Sequence, residues 1–185
     1  MFNSKVRLDL LQSIDKSFDE SFSRALSIVK QAIQNDSFLF FCGNGGSAAE
    51  AQHMSAEYIA TLDHQRFRKG IKSIALTVDT SLITAWTNDF GFKDLFSRQI
   101  ETLGSSGDVL MAYSTSGNSE NVIEASKTAS KKGIKVIGFT GNKGGKLSEI
   151  SDVSFCVPSS NTALIQEIHT MLGHDLCLEA EKLLY

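Results

Sequence analysis

The sequence has little proline, tryptophan or cysteine, and it lacks long apolar runs. Its 185 residues include one proline, one tryptophan and three cysteines. Apolar runs such as Phe38–Cys42 are far shorter than the roughly 20 residues that a membrane-spanning helix needs. Cys42, Cys156 and Cys177 cannot all pair within one chain and form no CxxC motif, so we expect a reduced, cytoplasmic protein.

A large excess of charge of one sign is also lacking. Eighteen basic and 21 acidic residues give a formal net charge of −3, which argues against a strongly basic nucleic-acid binder. With 42% hydrophobic and 21% charged residues, the composition is that of a globular protein rather than a disordered one. The first residues do not resemble a signal peptide, and no repeat, low-complexity tract or linker interrupts the chain. We therefore predict a single domain over residues 1–185.

Apolar residues near the start of the chain recur every three or four positions, which is the period of an α-helix. The stripe consists of Leu10, Ile14, Phe18, Phe22, Leu26, Val29 and Ile33. It predicts one long helix within a helical segment over residues 1–36. Because this apolar face exceeds what one small sheet needs, we expect it at a subunit interface; the alternative is packing within its own domain.

Five short apolar runs follow, each with the length of a buried strand. They are Phe38–Cys42, Ile74–Val78, Val109–Ser114, Lys135–Thr140 and Val153–Val157. Helical patterns lie between and after them, at 47–61, 92–103, 119–132, 145–150 and 162–184. Strands that alternate with helices predict an α/β fold, with a doubly wound, five-stranded parallel sheet flanked by helices.

A glycine-rich turn, Gly43-Asn44-Gly45-Gly46-Ser47, follows the first predicted strand and leads into a helix. In open parallel sheets, ligands bind beyond the carboxyl ends of the strands. Glycines let the backbone approach a ligand closely, and free amides at a helix start favour an anion or a sugar hydroxyl. The turn lacks the lysine of a P-loop, and a tight turn without a ligand is the alternative.

Four hydroxyls follow the third predicted strand, just before the next helix. They belong to Ser114, Thr115, Ser116 and Ser119. Hydroxyls and backbone amides at a helix start can hold a phosphomonoester without any lysine. Helix capping would use one hydroxyl and leave the others unexplained, so we predict a phosphate-binding loop.

The helix after the first strand carries side chains suited to acid–base or metal chemistry. His53 and Glu57 are four residues apart and therefore share one helix face. Glu50 and Gln52 are expected to point away from that face. On spacing alone, an ordinary surface pair is an equally good interpretation.

The last helix offers a matching set of polar residues. Gln166 and His174 are eight residues apart, about two turns, and share a face, whereas His169 lies off that line. If the two helices meet, these residues with His53 and Glu57 could form a zinc site. They could equally perform acid–base chemistry without a metal, and spacing leaves both possibilities open.

Four segments in order, together covering the chain almost from end to end, carry a family resemblance. They are CGNGGSAAEAQHMSAE (42–57), TNDFGF (87–92), STSGNS (114–119) and QEIH (166–169), with His174 beyond. They resemble the bacterial phosphoheptose isomerases, which are sugar isomerase (SIS) domain proteins. STSGNS alone indicates only sugar-phosphate binding, whereas the first segment combined with Gln166 and His174 is much more specific. The resemblance implies the flavodoxin-like SIS fold.

The resemblance also implies roles for individual residues. Glu57 would be the base and His174 the acid of an acid–base pair. One Zn²⁺ per subunit would be held by His53, Glu57, Gln166 and His174. Substrate contacts would come from Asn44, Gly45, Gly46, Glu57, Asn88, Asp89 and Gln166, and phosphate contacts from Ser114, Thr115, Ser116 and Ser119. The loop at 58–70 does not match the family pattern, so the roles of Arg66 and Arg68 stay open between a solvated basic loop and a phosphate contact.

The reaction that the resemblance implies is the isomerisation of D-sedoheptulose 7-phosphate to D-glycero-D-manno-heptose 7-phosphate through an enediol(ate). This is the first step of nucleotide-activated heptose biosynthesis for lipopolysaccharide or capsule, performed by a cytoplasmic homotetramer with active sites between subunits. Two alternatives stay open: an isomerase of another phosphosugar, and a non-catalytic partner-binding protein similar to the replication-initiator-associating protein.

Overall fold

The computed structural model describes residues 4–14 and 16–185, and its centre is a parallel sheet. The strands are β1 (Leu39–Cys42), β2 (Ser73–Ala75), β3 (Val109–Ser114), β4 (Lys135–Thr140) and β5 (Val153–Cys156). They pair in the order β2-β1-β3-β4-β5, every pair parallel. The five predicted strands are confirmed, with β3 and β4 at their predicted bounds. The strand order reverses between β1 and β3, where α/β proteins bind ligands.

The helices connect the strands and cover both faces of the sheet. They are α1 (Ser4–Ile14), α2 (Asp19–Gln34), α3 (Gly46–Ile59), α4 (Thr80–Phe90), α5 (Leu95–Leu103), α6 (Glu120–Lys131), α7 (Gly145–Ile150) and α8 (Thr162–Glu181). A short 3₁₀ turn, Lys182–Leu184, follows α8. Within the described ranges, no helix is long and apolar enough to cross a membrane.

The N-terminal helical segment is present, but it is divided into two helices rather than being one. Lys16 lies between them with φ of 62°, a left-handed conformation that a continuous α-helix does not accommodate. The predicted apolar stripe still faces the sheet, since Leu10 and Val29 are buried and Phe18 packs edge-on against Phe155 at 5.5 Å. Part of the stripe therefore packs within its own chain.

Helix α4 was not among the predicted helices, and the predicted helix at 92–103 begins at Leu95 instead. Asp79 caps the start of α4 by accepting a hydrogen bond from Leu82 N at 2.9 Å. No residue of α4 is fully buried. Leu82, Trp86 and Phe90 recur at helical spacing, and the Trp86 and Phe90 rings lie 4.5 Å apart, but this face is only partly covered, since Phe90 is 67% exposed.

Two separate apolar cores lie on the two faces of the sheet. Residues of β1 alternate between them, with Leu39 and Phe41 in one core and Phe40 and Cys42 in the other. Helices α1, α2, α3 and α8 cover the first core, and α5, α6 and α7 cover the second. This arrangement confirms the doubly wound α/β fold, and it brings α3 and α8 side by side on one face.

Candidate active site

Helix α3 begins immediately after β1, and its first residues approach α8 closely. Gly45 adopts φ of 55° and ends the turn, a conformation that glycine adopts without strain. A Cβ added at Gly46 would lie 2.5 Å from Gln166 Nε2. Glycine at 46 therefore leaves room for the Gln166 side chain against the start of α3.

Further along, polar side chains of α3 meet those of α8 in successive turns. Glu50 accepts a hydrogen bond from the Thr170 hydroxyl at 2.6 Å. One turn later, His53 Nε2 lies 2.8 Å from His174 Nε2. The polar faces of these two helices therefore meet, which the spacing of their residues had left open.

Three of the four predicted metal ligands form a compact cluster. His53 Nδ1 lies 3.7 Å from Glu57 Oε1, and one potential ligand atom each from His53, Glu57 and His174 lies within 4.8 Å of the other two. Two imidazoles and a carboxylate are a ligand set found in catalytic zinc sites, with a further position left for substrate or water. We refer to His53, Glu57 and His174 as the His–Glu cluster; it can hold a metal ion.

Glu50 corrects one detail of the sequence prediction. It was expected to point away, but it is 9% exposed and faces α8 near the His–Glu cluster. Burial raises the pKa of its carboxyl group, and the Thr170 hydrogen bond and the nearby His53 and His174 partly offset that rise. Its Oε1 has no hydrogen-bond partner within the described part of the chain. The spacing Glu50, His53, Glu57 (i, i+3, i+7) was the signal that the prediction missed.

The loop after β3 gathers three hydroxyls at the start of α6. Ser114 Oγ lies 2.9 Å from Ser119 Oγ and 3.5 Å from Ser116 Oγ. Asn118 N donates to Ser116 Oγ at 3.1 Å. The fourth predicted hydroxyl, on Thr115, lines an adjoining cavity of about 380 Å³. We call residues 114–119 the hydroxyl loop; its hydroxyls and amides suit an anion.

Contacts with neighbouring loops hold the hydroxyl loop in shape. Gly117, with φ of 66°, packs so closely on Gly144 that any side chain would collide with its carbonyl oxygen. Leu147 N donates to Gly117 O at 3.0 Å, and Gly141 N donates to Thr115 O at the same distance. The loop is therefore organised before any ligand arrives.

Asn44, in the turn after β1, and Asn121, in the first turn of α6, form a pair of hydrogen bonds. Each side-chain amide donates to the other's Oδ1 at 2.8 Å. The glycine-rich turn is thereby fixed to the start of α6, beside the hydroxyl loop. Asn121 was not among the predicted site residues.

Asn88 and Asp89, both predicted substrate contacts, lie at the exposed end of α4. Asn88 Nδ2 donates to Asp89 Oδ1 at 2.8 Å, so this hydrogen bond joins them to each other rather than to the His–Glu cluster. Their role in substrate binding stays a prediction.

The fold and the paired helices define a class of protein. The SIS-domain family matches residues 2–141, so the chain is a SIS-domain protein. A phosphoheptose isomerase from Aliarcobacter butzleri is 44% identical over 169 residues, which cover 91% of this chain and 88% of that protein. Within the SIS class, the chain therefore belongs to the phosphoheptose isomerase family.

Solved structures agree with this assignment. The phosphoheptose isomerase from Neisseria gonorrhoeae is 41% identical, with a TM-score of 0.88 over 95% of this chain and 93% of that one. The phosphoheptose isomerase from Francisella tularensis is 31% identical, with a TM-score of 0.91 over 96% and 94%. The correspondence extends over at least 93% of each chain, whereas the family match ends at residue 141, before α8.

Proposed function

We propose that this protein isomerises D-sedoheptulose 7-phosphate to D-glycero-D-manno-heptose 7-phosphate, the first step of nucleotide-activated heptose biosynthesis for lipopolysaccharide or capsule. One observation carries the proposal: the His–Glu cluster and the hydroxyl loop occur together in a chain that matches phosphoheptose isomerases over nearly its whole length. The cluster supplies acid–base groups, and the loop supplies a phosphate anchor.

The hydroxyl loop binds the phosphate end of the substrate. Hydroxyls of Ser114, Ser116 and Ser119 and the amides at the start of α6 donate hydrogen bonds to the phosphate oxygens, aided by the helix dipole. Because this end does not react, its binding energy fixes the reacting carbons in position.

Glu57 and His174 perform the proton transfers. Glu57 removes a proton from C1 of the open-chain ketose while the C2 oxygen gains one, which gives an enediol(ate). A proton then returns to C2 while the C1 hydroxyl loses its proton, so that C1 becomes the aldehyde carbon of the aldose. We assign the base to Glu57 and the acid to His174, which lie in one cluster. A positioned base and acid each typically contribute about 10²–10⁴-fold to the rate.

The residues present also fit a Zn²⁺ ion, one per subunit. His53, Glu57 and His174 provide the nitrogen and oxygen donors that zinc prefers, and Gln166 is the proposed fourth ligand. When bound, zinc supplies Lewis-acid polarisation of the substrate carbonyl. Since a metal-bound carboxylate is a weaker base, Glu57 would serve as both ligand and base only if it dissociated from the ion; otherwise His174 would take the proton.

We also propose a cytoplasmic homotetramer with active sites between subunits. Helix α4 supports this, because it has no fully buried residue and ends at Phe90, whose ring is 67% exposed, two residues before Phe92, which is 48% exposed. A groove of about 480 Å³ between the N-terminal helices and α8, lined by Phe18, Phe22 and Met171 among others, offers a second apolar face. A neighbouring subunit at α4 would bring Asn88 and Asp89 into a shared site.

The test is to incubate the purified protein with sedoheptulose 7-phosphate, with and without Zn²⁺, and to follow the aldose phosphate by NMR. Product that requires zinc and disappears with chelator supports the isomerase and the metal site together. Product whose amount depends on neither zinc nor chelator supports metal-free acid–base chemistry. Turnover of a pentulose or hexulose phosphate, but not of sedoheptulose 7-phosphate, would show that the protein isomerises a different phosphosugar. If none of these sugar phosphates is converted, the proposed isomerase activity is wrong and a partner-binding protein is favoured, although such a protein does not need the His–Glu cluster.

A further inference from the structure

A buried ion pair lies beyond the His–Glu cluster and joins the same two helices. Arg68, in the loop after α3, is 4% exposed, and Glu181, at the end of α8, is 1% exposed. Arg68 Nη2 lies 2.5 Å from Glu181 Oε1, and Arg68 Nε donates to the same oxygen at 2.7 Å. Charged residues such as arginine and glutamate are almost never buried so completely unless they are paired.

The rest of the Arg68 guanidinium binds the end of α3. Nη2 donates to Glu57 O at 2.9 Å, and Nη1 donates to Tyr58 O at 2.9 Å and to Lys69 O at 3.0 Å. A cation at a helix C-terminus satisfies carbonyls that lack partners within the helix and interacts favourably with its dipole. One of these carbonyls belongs to Glu57, the residue that we assign as the base.

Glu181 is equally well satisfied. It accepts hydrogen bonds from Leu62 N at 2.8 Å, Asp63 N at 3.1 Å and the Thr61 hydroxyl at 3.2 Å. Burial raises the pKa of Glu181, but the hydrogen bonds from Leu62, Arg68 and Asp63 outweigh it, and the pKa lies below its usual value. Glu181 therefore carries the charge that Arg68 requires.

Buried ion pairs contribute little net stability, because the loss of hydration offsets the attraction between the charges. What this pair provides is position. Glu181 follows His174 by seven residues, which places both on one face of α8. Helix α8 thus carries both His174 and Glu181, and Arg68 connects Glu181 to the backbone of Glu57.

We propose that Arg68 and Glu181 are positioning residues that fix the Glu57 carboxylate relative to His53 and His174. The catalytic part of this inference rests on the proposed isomerase function. The metal-binding part does not, because it concerns only the spacing of three side chains.

The test replaces both charges together, as Arg68→Met/Glu181→Leu. Apolar residues of similar volume commonly replace a buried pair with little loss of stability, whereas a single replacement leaves a charge unpaired. We expect a folded protein with a circular dichroism spectrum like that of the wild type. Its kcat should fall at least tenfold with KM within about twofold, because the hydroxyl loop is untouched. Its affinity for Co²⁺, measured by competition with a chelator, should also fall at least tenfold, with a weaker visible absorption band.

Two further variants separate position from stability. Thr61→Val removes the 3.2 Å hydrogen bond to Glu181 but leaves Arg68 on Glu57, so kcat and Co²⁺ affinity should match the wild type. Arg68→Lys keeps the charge opposite Glu181 but replaces the planar fork by one ammonium, so contact with Glu57 O should be lost. This variant decides the question if the double variant does not fold.

Normal kcat and normal Co²⁺ affinity in the folded double variant, or in Arg68→Lys, would overturn the inference. Failure of the proposed function has a different signature: the wild type would make no aldose phosphate, whereas Co²⁺ affinity would still fall in both variants.

Discussion

The two halves of the candidate site are built in opposite ways. The hydroxyl loop comes from six consecutive residues at the end of one strand, and its shape is fixed by short-range hydrogen bonds and by the loop after β4. The His–Glu cluster joins two helices, and its histidines are 121 residues apart in the chain. The functional groups of the hydroxyl loop all come from one short segment, whereas those of the His–Glu cluster come together only if α3 and α8 pack accurately.

This difference predicts that the halves respond differently to mutation. Changes in the hydroxyl loop should weaken substrate binding and leave the chemistry intact. Changes in the His–Glu cluster, or in the contacts that set the distance between α3 and α8, should slow the chemistry. Gly173 illustrates the second kind, since a Cβ there would lie 2.8 Å from Met54 Sδ on α3.

The largest effect is expected for Glu57→Gln, which removes the proposed base and keeps its shape. The kcat should fall at least about 10²-fold, with KM nearly unchanged, because positioned bases typically contribute 10²–10⁴-fold. Steady-state kinetics with sedoheptulose 7-phosphate measures this. Glu101→Gln, at an exposed glutamate on α5, is the matched control and should behave as the wild type. Near-normal turnover by Glu57→Gln would remove this residue from the mechanism.

Metal removal should have the next largest effect and should separate the two halves. Dialysis against a chelator should lower activity at least about tenfold and lower the melting temperature, because an ion that binds only the native state stabilises it. In His53→Asn the melting temperature should no longer respond to Zn²⁺, whereas in Ser119→Ala it should respond as in the wild type. An equal response in His53→Asn and the wild type would contradict the proposed ligand set.

Ser119→Ala should lower substrate affinity rather than slow the chemical step. A hydrogen bond to a charged group contributes about 1.5–3 kcal/mol, so kcat/KM should fall roughly ten- to a hundredfold, mostly through KM. Inhibition by inorganic phosphate should weaken in parallel. Ser130→Ala, near the far end of α6, controls for loss of a helical serine. A fall in kcat alone would mean that the loop does more than anchor phosphate.

The smallest effect is expected for a change at His169. This residue and His174 both lie on α8, but their side chains lie in different environments. Unlike His174, it faces the sheet, where its Nε2 lies 3.1 Å from Thr140 O. Burial lowers its pKa to about 4 from 6.5, and the hydrogen bond to Thr140 O only partly opposes this. Between these two pKa values the unfolded chain binds more protons at this histidine than the folded chain does. The contribution of His169 to stability is therefore complete above about pH 6.5 and is lost as the pH falls towards 4.

The measurement is the free energy of unfolding in urea at pH 7, 6 and 5, for metal-free wild type and His169→Gln at equal concentration. The variant keeps a donor for Thr140 O and should be less stable at pH 7, because it loses ring contacts with Tyr113 and Phe139. Below pH 6.5, the free energy of unfolding should fall less steeply with pH in the variant than in the wild type. The two slopes should differ by up to about 1.4 kcal/mol per pH unit. Parallel curves for the two proteins would show that His169 does not titrate in this range.

Features that depend on neighbouring residues were predictable from the sequence. Strands β3 and β4 have their predicted bounds because both are continuous apolar runs ended by polar turns. The gathering of Ser114, Ser116 and Ser119 followed from the end of β3 and the start of α6. The break at Lys16 was not predictable, because the apolar stripe continues across it at helical spacing while the backbone turns.

The order of the five strands, the alternation that makes the sheet parallel and the residues of the His–Glu cluster could be predicted from the chain alone. Which helix faces meet depends on tertiary packing. Glu50 faces α8 because the start of α3 lies against Gln166, and Arg68 reaches both Glu57 O and Glu181 because the loop after α3 folds back over the end of α8. Periodicity fixes the face of a helix on which a residue lies. The rotation and separation of two helices are set by packing between residues far apart in the chain, and these contacts leave no periodic signal in the sequence.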